Sequence, residues 1–287
     1  MKTQMFSIAV RNLVVFAAVL AAAQATTTNA ELIYGVSDTL NDLVSFDSAT
    51  PGTVNAYALS GLHSGDEIRG VDWVNGTLYG LGDQGYLYTI TTTGVATMVG
   101  TGLGHSLDGV YFGFNAGTSQ LYVTSDAGLN LSVDPLTGLA TAGPTYTFGG
   151  NPADLDAAAW DSANSTFYGI SVGGNQLYSL NPVTGDVTLV ASIPSGVLEH
   201  PIGFDISPNT GTAYIATETT PGGTPDLFLL SLTTGDLTDM GTIGHTGELT
   251  GGVDSIAVAT VVPEPGTLGL LIAGGGSVLF GLIRRKK

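Results

Sequence analysis

Short runs of apolar, β-branched and aromatic residues recur along the middle of the chain, and turns rich in Gly, Asp, Asn and Thr separate them. The stretch from Thr77 to Gly102 holds three such runs, at Thr77–Leu81, Tyr86–Ile90 and Ala96–Gly100. Short strand-forming runs broken by tight-turn residues predict an antiparallel meander. No interior segment sustains an apolar period of 3.6 residues, so the pattern predicts an all-β body with few helices.

The meander is repeated five times. A tyrosine marks the same point in the first run of every copy, and successive tyrosines are 45, 43, 46 and 46 residues apart. A second apolar run follows, then a turn that ends in Thr-Gly in four of the copies, then a third run. A repeat of this length with about four strands is typical of a propeller blade. The marker tyrosines are Tyr34, Tyr79, Tyr122, Tyr168 and Tyr214.

A fourth run precedes each of the last four tyrosines and ends in a small residue, an apolar residue and Asp or Asn. Tyr34 has no such run before it, but one appears at the far end, within Gly251–Thr260. We therefore predict a five-bladed β-propeller of four-stranded blades over residues 31–260. The C-terminal strand should complete the N-terminal blade as its innermost strand and close the ring.

Two other architectures remain as alternatives. A six-bladed ring with a degenerate blade needs about 45 more residues than the repeats supply. An open solenoid does not explain why the first copy is split between the two ends of the body.

The two ends of the chain carry targeting signals. Lys2 and Arg11 precede the apolar run Leu13–Ala23, and Ala23-Gln24-Ala25 offers a small-x-small cleavage site, which together predict a signal peptide over residues 1–25. At the other end, the 17 mostly apolar residues 267–283 precede a basic tail at 284–287. A helix of this length measures roughly 26 Å, which just crosses the hydrocarbon. Because the run contains several glycines, we expect this transmembrane helix to be a transient anchor in the inner membrane.

The three-part tail resembles the PEP-CTERM sorting signal of Gram-negative bacteria that make exopolysaccharide. It has the motif Pro263, Glu264 and Pro265, then the apolar span and the basic end, over residues 262–287. The resemblance implies that an exosortase-type enzyme cuts near the motif and releases the body to the cell surface or the extracellular matrix. The repeat itself resembles an uncharacterised family of exported bacterial β-propeller-like domains, which brings no activity and no catalytic residues.

The body between the two signals is strongly acidic. Arg69 is the only Lys or Arg from Thr26 to Val262, against 23 Asp and Glu residues. Such a body should repel nucleic acid and concentrate cations. The chain has no Cys, the body has no Lys, and no His-Glu-x-x-His motif is present, so the body has no cysteine nucleophile, no lysine to activate one and no zinc-protease signature.

These observations favour a non-enzymatic surface or matrix protein whose propeller binds a partner, with exopolysaccharide as the candidate. The alternative is a calcium-dependent propeller hydrolase or lactonase, which rests on analogy at the level of the fold.

Two sets of residues are candidate sites once the repeats are aligned. The Asp and Asn residues of the innermost strands recur once per blade and are candidate ligands of Ca²⁺ or another hard cation, or else acceptors for nearby turns. All four histidines fall in crossings between blades, and they either gather at one mouth of the channel or lie in solvent. Trp73 is the candidate for an exposed carbohydrate platform. The first set is Asp72, Asn115, Asp161, Asp205 and Asp254; the second is His63, His105, His200 and His245.

Overall fold

The computed structural model describes residues 30–260 except 39, 105, 106, 108–111, 117, 118, 221, 245–248, 250 and 251. In this part of the chain no helix is long and apolar enough to cross a membrane. The signal peptide predicted at 1–25, the Pro263–Pro265 motif and the span predicted at 267–283 lie outside the described residues.

The described chain forms five four-stranded antiparallel sheets, which we number as blades by their marker tyrosines. Blade 1 consists of β1 (Leu32–Ser37), β2 (Asp42–Asp47), β3 (Thr50–Ala58) and β22 (Val253–Val258). Blade 2 consists of β4 (Ile68–Val74), β5 (Thr77–Gly82), β6 (Leu87–Ile90) and β7 (Ala96–Val99). Blade 3 consists of β8 (Phe112–Ala116), β9 (Leu121–Ser125), β10 (Asn130–Val133) and β11 (Ala140–Ala142). Blade 4 consists of β14 (Ala157–Asp161), β15 (Thr166–Ser171), β16 (Gln176–Leu180) and β17 (Val187–Ser192). Blade 5 consists of β18 (Ile202–Ile206), β19 (Ala213–Glu218), β20 (Pro225–Leu230) and β21 (Leu237–Thr242). A small hairpin of β12 (Thr147–Phe148) and β13 (Asn151–Pro152) lies in the crossing from blade 3 to blade 4.

The C-terminal strand closes the ring. β22 pairs antiparallel with β1, with Val258 opposite Ile33 and Ser255 opposite Val36. The innermost strands β4, β8, β14, β18 and β22 contact one another in turn, and β22 touches both β18 and β4. The predicted five-bladed propeller and its closing strand are thereby confirmed, and neither the six-bladed ring nor the open solenoid is formed.

The hydrophobic core consists of five clusters, one at each junction between neighbouring blades. Each marker tyrosine belongs to the cluster that its blade shares with the next. Tyr34, for example, packs among residues of blade 2, and Tyr214 packs among residues of blade 1. A single blade therefore has no core of its own, which explains why the repeat occurs as a complete ring.

The Thr-Gly turns connect neighbouring blades at the outer rim. Gly235 has a φ of 77°, and a Cβ placed there would lie 2.3 Å from the carbonyl oxygen of Ser192, at the end of the outer strand of blade 4. Gly94 and Gly138 sit in the same way against the carbonyls of Ala58 and Val99. Only glycine combines a positive φ with this close backbone approach, so the turn signature of the sequence is a contact between blades.

The ring has two different ends. We call the hairpin face the end formed by the described residues that connect the innermost strands to the tyrosine strands, namely 75–76, 119–120, 162–165 and 207–212. The chain enters the ring at Glu31 and leaves it after Ala259 at this same end, because β22 runs in the direction of the other innermost strands. We call the opposite end, with the crossings between blades and the turns that follow the tyrosine strands, the crossing face.

Both ends of the body are held at the hairpin face. The buried carboxylate of Glu31 accepts hydrogen bonds from the hydroxyls of Ser207, Thr210 and Tyr214 in blade 5. The backbone N–H of Ala259 donates to the carbonyl of Leu32 at 2.8 Å. The first and last residues of the body are thus neighbours.

Candidate functional site

Three of the five innermost Asp and Asn residues converge on the channel. Asp72, Asn115 and Asp205 are buried, and each lies opposite the marker tyrosine of its own blade. The amide Nδ2 of Asn115 donates to Oδ1 of Asp205 at 3.2 Å. Since blades 3 and 5 are not neighbours, this bond crosses the ring.

The same three side chains connect adjacent blades. The carboxylate of Asp72 accepts the N–H of Ala116 at 2.5 Å. Asn115 Oδ1 accepts the N–H of Trp160 at 2.7 Å, and Asp205 Oδ2 accepts the N–H of Val258 at 2.7 Å. Each acceptor therefore holds the innermost strand of the following blade.

The two channel carboxyls have strongly perturbed acidity. Burial raises the pKa of Asp205 to about 7, against the hydrogen bonds from Val258, Ile206 and Asn115. Burial also raises the pKa of Asp72 well above its ordinary value, and the charge of Asp205 adds to this shift. Because both carboxyls are buried without a cation beside them in the described chain, deprotonation of both is unfavourable.

The other two members of the predicted ring lie at opposite ends of the channel. In blade 4 the residue opposite Tyr168 is Ala159, and in blade 1 the residue opposite Tyr34 is Ala257. Asp161 instead caps its own hairpin at the hairpin face, where it accepts the N–H groups of Ala163 and Asn164.

Asp254 lies at the crossing face, three residues before the position that the alignment assigned to it. The alignment of Asp161 and Asp254 with the other three residues was therefore wrong. The alignment failed because of the strand register. The hairpin of blade 4 pairs Asp161 with Thr166, and β22 is not joined to β1 by a hairpin at all.

A calcium ion does not suit these residues well. Ca²⁺ takes six to eight oxygen ligands, whereas the oxygens of Asp72, Asn115 and Asp205 already accept N–H groups. Among the described residues no group of three or more His, Asp or Glu side chains is arranged to hold a metal ion. Cation binding by the five aligned residues stays a prediction, and we derive no chemistry from it.

Arg69 joins blades 1 and 2 at the crossing face. Its guanidinium contacts Asp254 at 2.8 Å, Glu67 at 2.7 Å and also Asp38. Asp38 and Asp254 belong to blade 1, whereas Arg69 is the second residue of the innermost strand of blade 2. The single cationic side chain of the body thus clamps the closing strand to the next blade. No spacing along the chain predicts that these groups lie together.

The structure places two of the four histidines, and both lie in crossings. His63, in the crossing from blade 1 to blade 2, is exposed and stacks on the half-buried ring of Tyr86, with centroids 4.4 Å apart and planes at 28°. Its backbone N–H donates to the hydroxyl of Tyr88, which in turn donates to the buried carboxylate of Asp66. His105 and His245 lie outside the described residues, so convergence of the four histidines stays a prediction.

His200 belongs to a polar cluster in the crossing before blade 5. Its Nε2 lies 3.7 Å from Oδ1 of Asp156, and burial lowers the pKa of the imidazole although Asp154, Glu199 and Asp126 oppose the shift. Burial raises the pKa of Asp156 to about 7, and the charge of Asp154 adds to this effect.

Ser171 is part of the same cluster and lies in a Gly-x-Ser-x-Gly sequence, Gly169 to Gly173. Its buried hydroxyl donates to Asp154 at 2.7 Å and accepts the N–H of Gly174. In hydrolases this motif forms a turn between a strand and a helix. Here it ends β15 and leads into β16, so the serine lacks that geometry.

Trp73 does not form an exposed platform. Its ring is half-buried and packs edge to face against Tyr34, with centroids 5.5 Å apart. The exposed aromatic surface of this region is the His63–Tyr86 stack, which the sequence did not single out. Stacking of a crossing residue on a strand residue depends on the path of the crossing, which spacing does not encode.

Two known sequence families match most of the chain. The profile of a family described as Domain of unknown function (DUF4394) matches residues 42–253, and a PEP-CTERM protein-sorting motif matches residues 261–287. No curated protein matches the sequence significantly.

Many solved structures share the fold. A protein of unknown function from Bacteroides thetaiotaomicron VPI-5482 is 15% identical, with a TM-score of 0.51 over 80% of this chain and 65% of that chain. A protein of unknown function from Bacteroides caccae is 12% identical, with a TM-score of 0.47 over 80% of this chain and 99% of that chain. A chain of the nidogen/laminin complex is 10% identical, with a TM-score of 0.48 over 81% of this chain and 99% of that chain. At these identities the likeness concerns the fold alone.

Proposed function

Because the chain belongs to the DUF4394 family of unknown function and ends in a PEP-CTERM sorting motif, we propose that it is an exosortase-sorted, exported protein whose propeller is a non-enzymatic binding module at the cell surface or in the extracellular matrix. Its partner is the exopolysaccharide that surrounds the cell, and its binding surface is the crossing face.

The observation that carries the proposal is the exposed His63–Tyr86 stack beside carboxylates. Sugar rings stack on flat aromatic surfaces, and carboxylates accept hydrogen bonds from sugar hydroxyls. Asp83 follows the tyrosine strand of blade 2 and accepts the N–H of Glu67, so these two acids belong to the same part of the crossing face as the stack. A single stacking surface binds a sugar weakly, and many copies of the protein would bind polysaccharide through avidity.

Binding of the mature body to purified exopolysaccharide and to a glycan array tests the proposal. We expect His63→Ala and Tyr86→Ala each to weaken binding several-fold, whereas Leu136→Ala, at an outer-turn side chain that is 85% exposed, should bind as the native protein does. Undiminished binding by both variants would remove the stack from the site.

The calcium-dependent hydrolase remains the second hypothesis, and one observation bears on it: the cluster of Asp154, Asp156, Ser171 and His200. A panel of lactones and esters, assayed with calcium and with EDTA, separates the two hypotheses. The binding module should hydrolyse nothing. Turnover that Asp156→Asn or Ser171→Ala abolishes would favour the enzyme instead.

A further inference from the structure

The closing strand of the ring continues directly into the sorting tail. β22 ends at Val258, and the carbonyl of Ala259 still accepts a hydrogen bond from Nδ2 of Asn209. Only the seven residues 260–266 separate this fixed point from the apolar span predicted at 267–283. Seven residues reach at most about 25 Å when fully extended.

The chain leaves the ring at the hairpin face, close to the channel. A six-residue innermost strand is about 20 Å long, so the tether is hardly longer than the ring is thick. It is too short to pass around the rim and bring the crossing face to a bilayer. A chain anchored by its tail therefore cannot turn its crossing face to the membrane, and the hairpin face is the end that the tether holds nearest to it.

The distribution of charge agrees with this arrangement. The inner hairpin residues that the structure describes, 75–76, 119–120, 162–165 and 207–212, include no charged residue. The two carboxylates nearest to them, those of Glu31 and Asp161, are buried and hydrogen-bonded. The other acids described on this side, the exposed Asp186 and Asp236 and the half-exposed Asp47 and Asp134, lie farther out, on outer turns of the rim. The crossing face, by contrast, presents exposed or half-exposed acids in every part that the structure describes. They are Asp38, Glu67, Asp83, Asp126, Asp154 and Glu199.

An anionic bilayer repels carboxylates within about one Debye length, 8–10 Å at physiological ionic strength. The centre of the hairpin face, with its uncharged inner hairpins, can approach such a surface at lower electrostatic cost than the crossing face, which carries more acids. Tether length and charge thus favour the same orientation, and they do so independently of each other.

We propose that the anchored precursor docks the uncharged centre of its hairpin face against the lipid surface and presents its more acidic crossing face outward. The inference rests on the proposed anchoring by residues 267–283. It assigns the hairpin face to the membrane and leaves the crossing face, with its His63–Tyr86 stack, free to meet extracellular polymer before the tail is cut.

The absence of cysteine makes the test direct. The full chain is placed in vesicles of phosphatidylethanolamine and phosphatidylglycerol at 3:1, with single cysteines labelled by an environment-sensitive fluorophore. Ser162→Cys and Gln120→Cys report on the hairpin face, and Ser64→Cys and Ala127→Cys report on the crossing face; all four positions are exposed. Nitroxide-labelled lipid quenches only probes that lie near the bilayer.

We expect quenching at Ser162→Cys and Gln120→Cys to exceed that at Ser64→Cys and Ala127→Cys at least threefold. The difference should vanish in matched chains that end at Val262, and it should shrink when a flexible segment of about 30 residues is inserted after Thr260. Equal quenching of the four probes in a vesicle-bound chain, or stronger quenching at the crossing face, would overturn the orientation. A chain that does not bind vesicles at all would instead overturn the anchoring on which it rests.

Discussion

At the scale of single residues, Arg69 has a role that no other side chain of the body can take over, since it is the only Lys or Arg from Thr26 to Val262. It neutralises carboxylates of blade 1 and blade 2 at the point where the C-terminal strand completes the ring. Removing the guanidinium leaves Asp38, Glu67 and Asp254 facing one another without a counter-charge.

We expect Arg69→Met to lower the free energy of unfolding by about 1–3 kcal/mol. This is less than the loss for a fully buried pair, because the Arg69 side chain is 29% exposed and solvent screens it. Arg69→Lys, which keeps the charge but offers one donor nitrogen in place of the two that Arg69 uses, should lose less. Urea denaturation of the two variants beside the native body measures both effects, and an Arg69→Met body as stable as the native one would refute the clamp.

The channel carboxyls predict how stability depends on pH. An acid whose pKa is higher in the folded than in the unfolded chain binds more protons when folded, so the free energy of unfolding falls as the pH rises between the two values. With the pKa of Asp205 near 7 and an ordinary value of 3.8, that window runs from about pH 4 to pH 7. The raised pKa values of Asp72 and Asp156 act in the same direction, whereas the lowered pKa of His200 acts against it.

We therefore expect Tm to be lower at pH 8 than at pH 5. Asp72→Asn should narrow that gap, because it removes a buried acid whose raised pKa contributes to it, whereas Asp239→Asn, at an exposed position on an outer strand, should leave the gap unchanged. Calorimetry at the two pH values measures this difference in Tm for each variant. A gap as wide in Asp72→Asn as in the native body would show that the channel pair is not its source.

At the scale of elements, the Thr-Gly turns are connections between blades, and two glycines of blade 5 allow this contact to be isolated. Gly235 and Gly211 have similar φ angles, 77° and 73°, but a Cβ at Gly235 would meet the carbonyl of Ser192 whereas one at Gly211 would meet nothing within 4 Å. Alanine at either site pays about 1–2 kcal/mol for the left-handed backbone.

We expect Gly235→Ala to lose more stability than Gly211→Ala, because it must also push the turn away from blade 4. Thermal unfolding of the two variants measures the difference directly. Equal losses would mean that the turn can shift without cost and that the close approach does not hold the blades together.

The closing strand should matter more than any other single element. Deleting Gly251–Thr260 removes β22 and exposes the edge of β1 together with the inner faces of β4 and β18. We expect the truncated body to lose cooperative unfolding or to melt far below the intact body, as circular dichroism would record. A truncated body with an unchanged Tm would contradict ring closure as a source of stability.

At the scale of the whole molecule, the number of blades, their four strands and the closing strand followed from the sequence. The landmarks that repeat every 43–46 residues mark the same strands and turns in each copy, and one set of these strands and turns makes a blade. The convergence of Asp72, Asn115 and Asp205 was also within reach, because these residues share one register.

Three features could not be predicted from the sequence. They are the positions of Asp161 and Asp254, the Arg69 clamp and the His63–Tyr86 stack. Register depends on where a hairpin pairs, and contacts between blades depend on twist and on the path of the crossings. The hairpin of β12 and β13 could not be predicted either, because its strands are too short to show an apolar period.

The hydrogen bond between Ala259 and Leu32 makes the body circular in all but its covalent bonds. The fold therefore does not determine at which point of the ring the chain begins and ends. A permuted body, with residues 31 and 260 joined by a short Gly-Ser linker and new ends opened between Gly149 and Gly150 at an exposed hairpin tip, should fold and melt much as the original does. Such a body would carry its sorting tail on the rim beside blade 4, and any property that depends on leaving through the hairpin face would be lost while the fold remained.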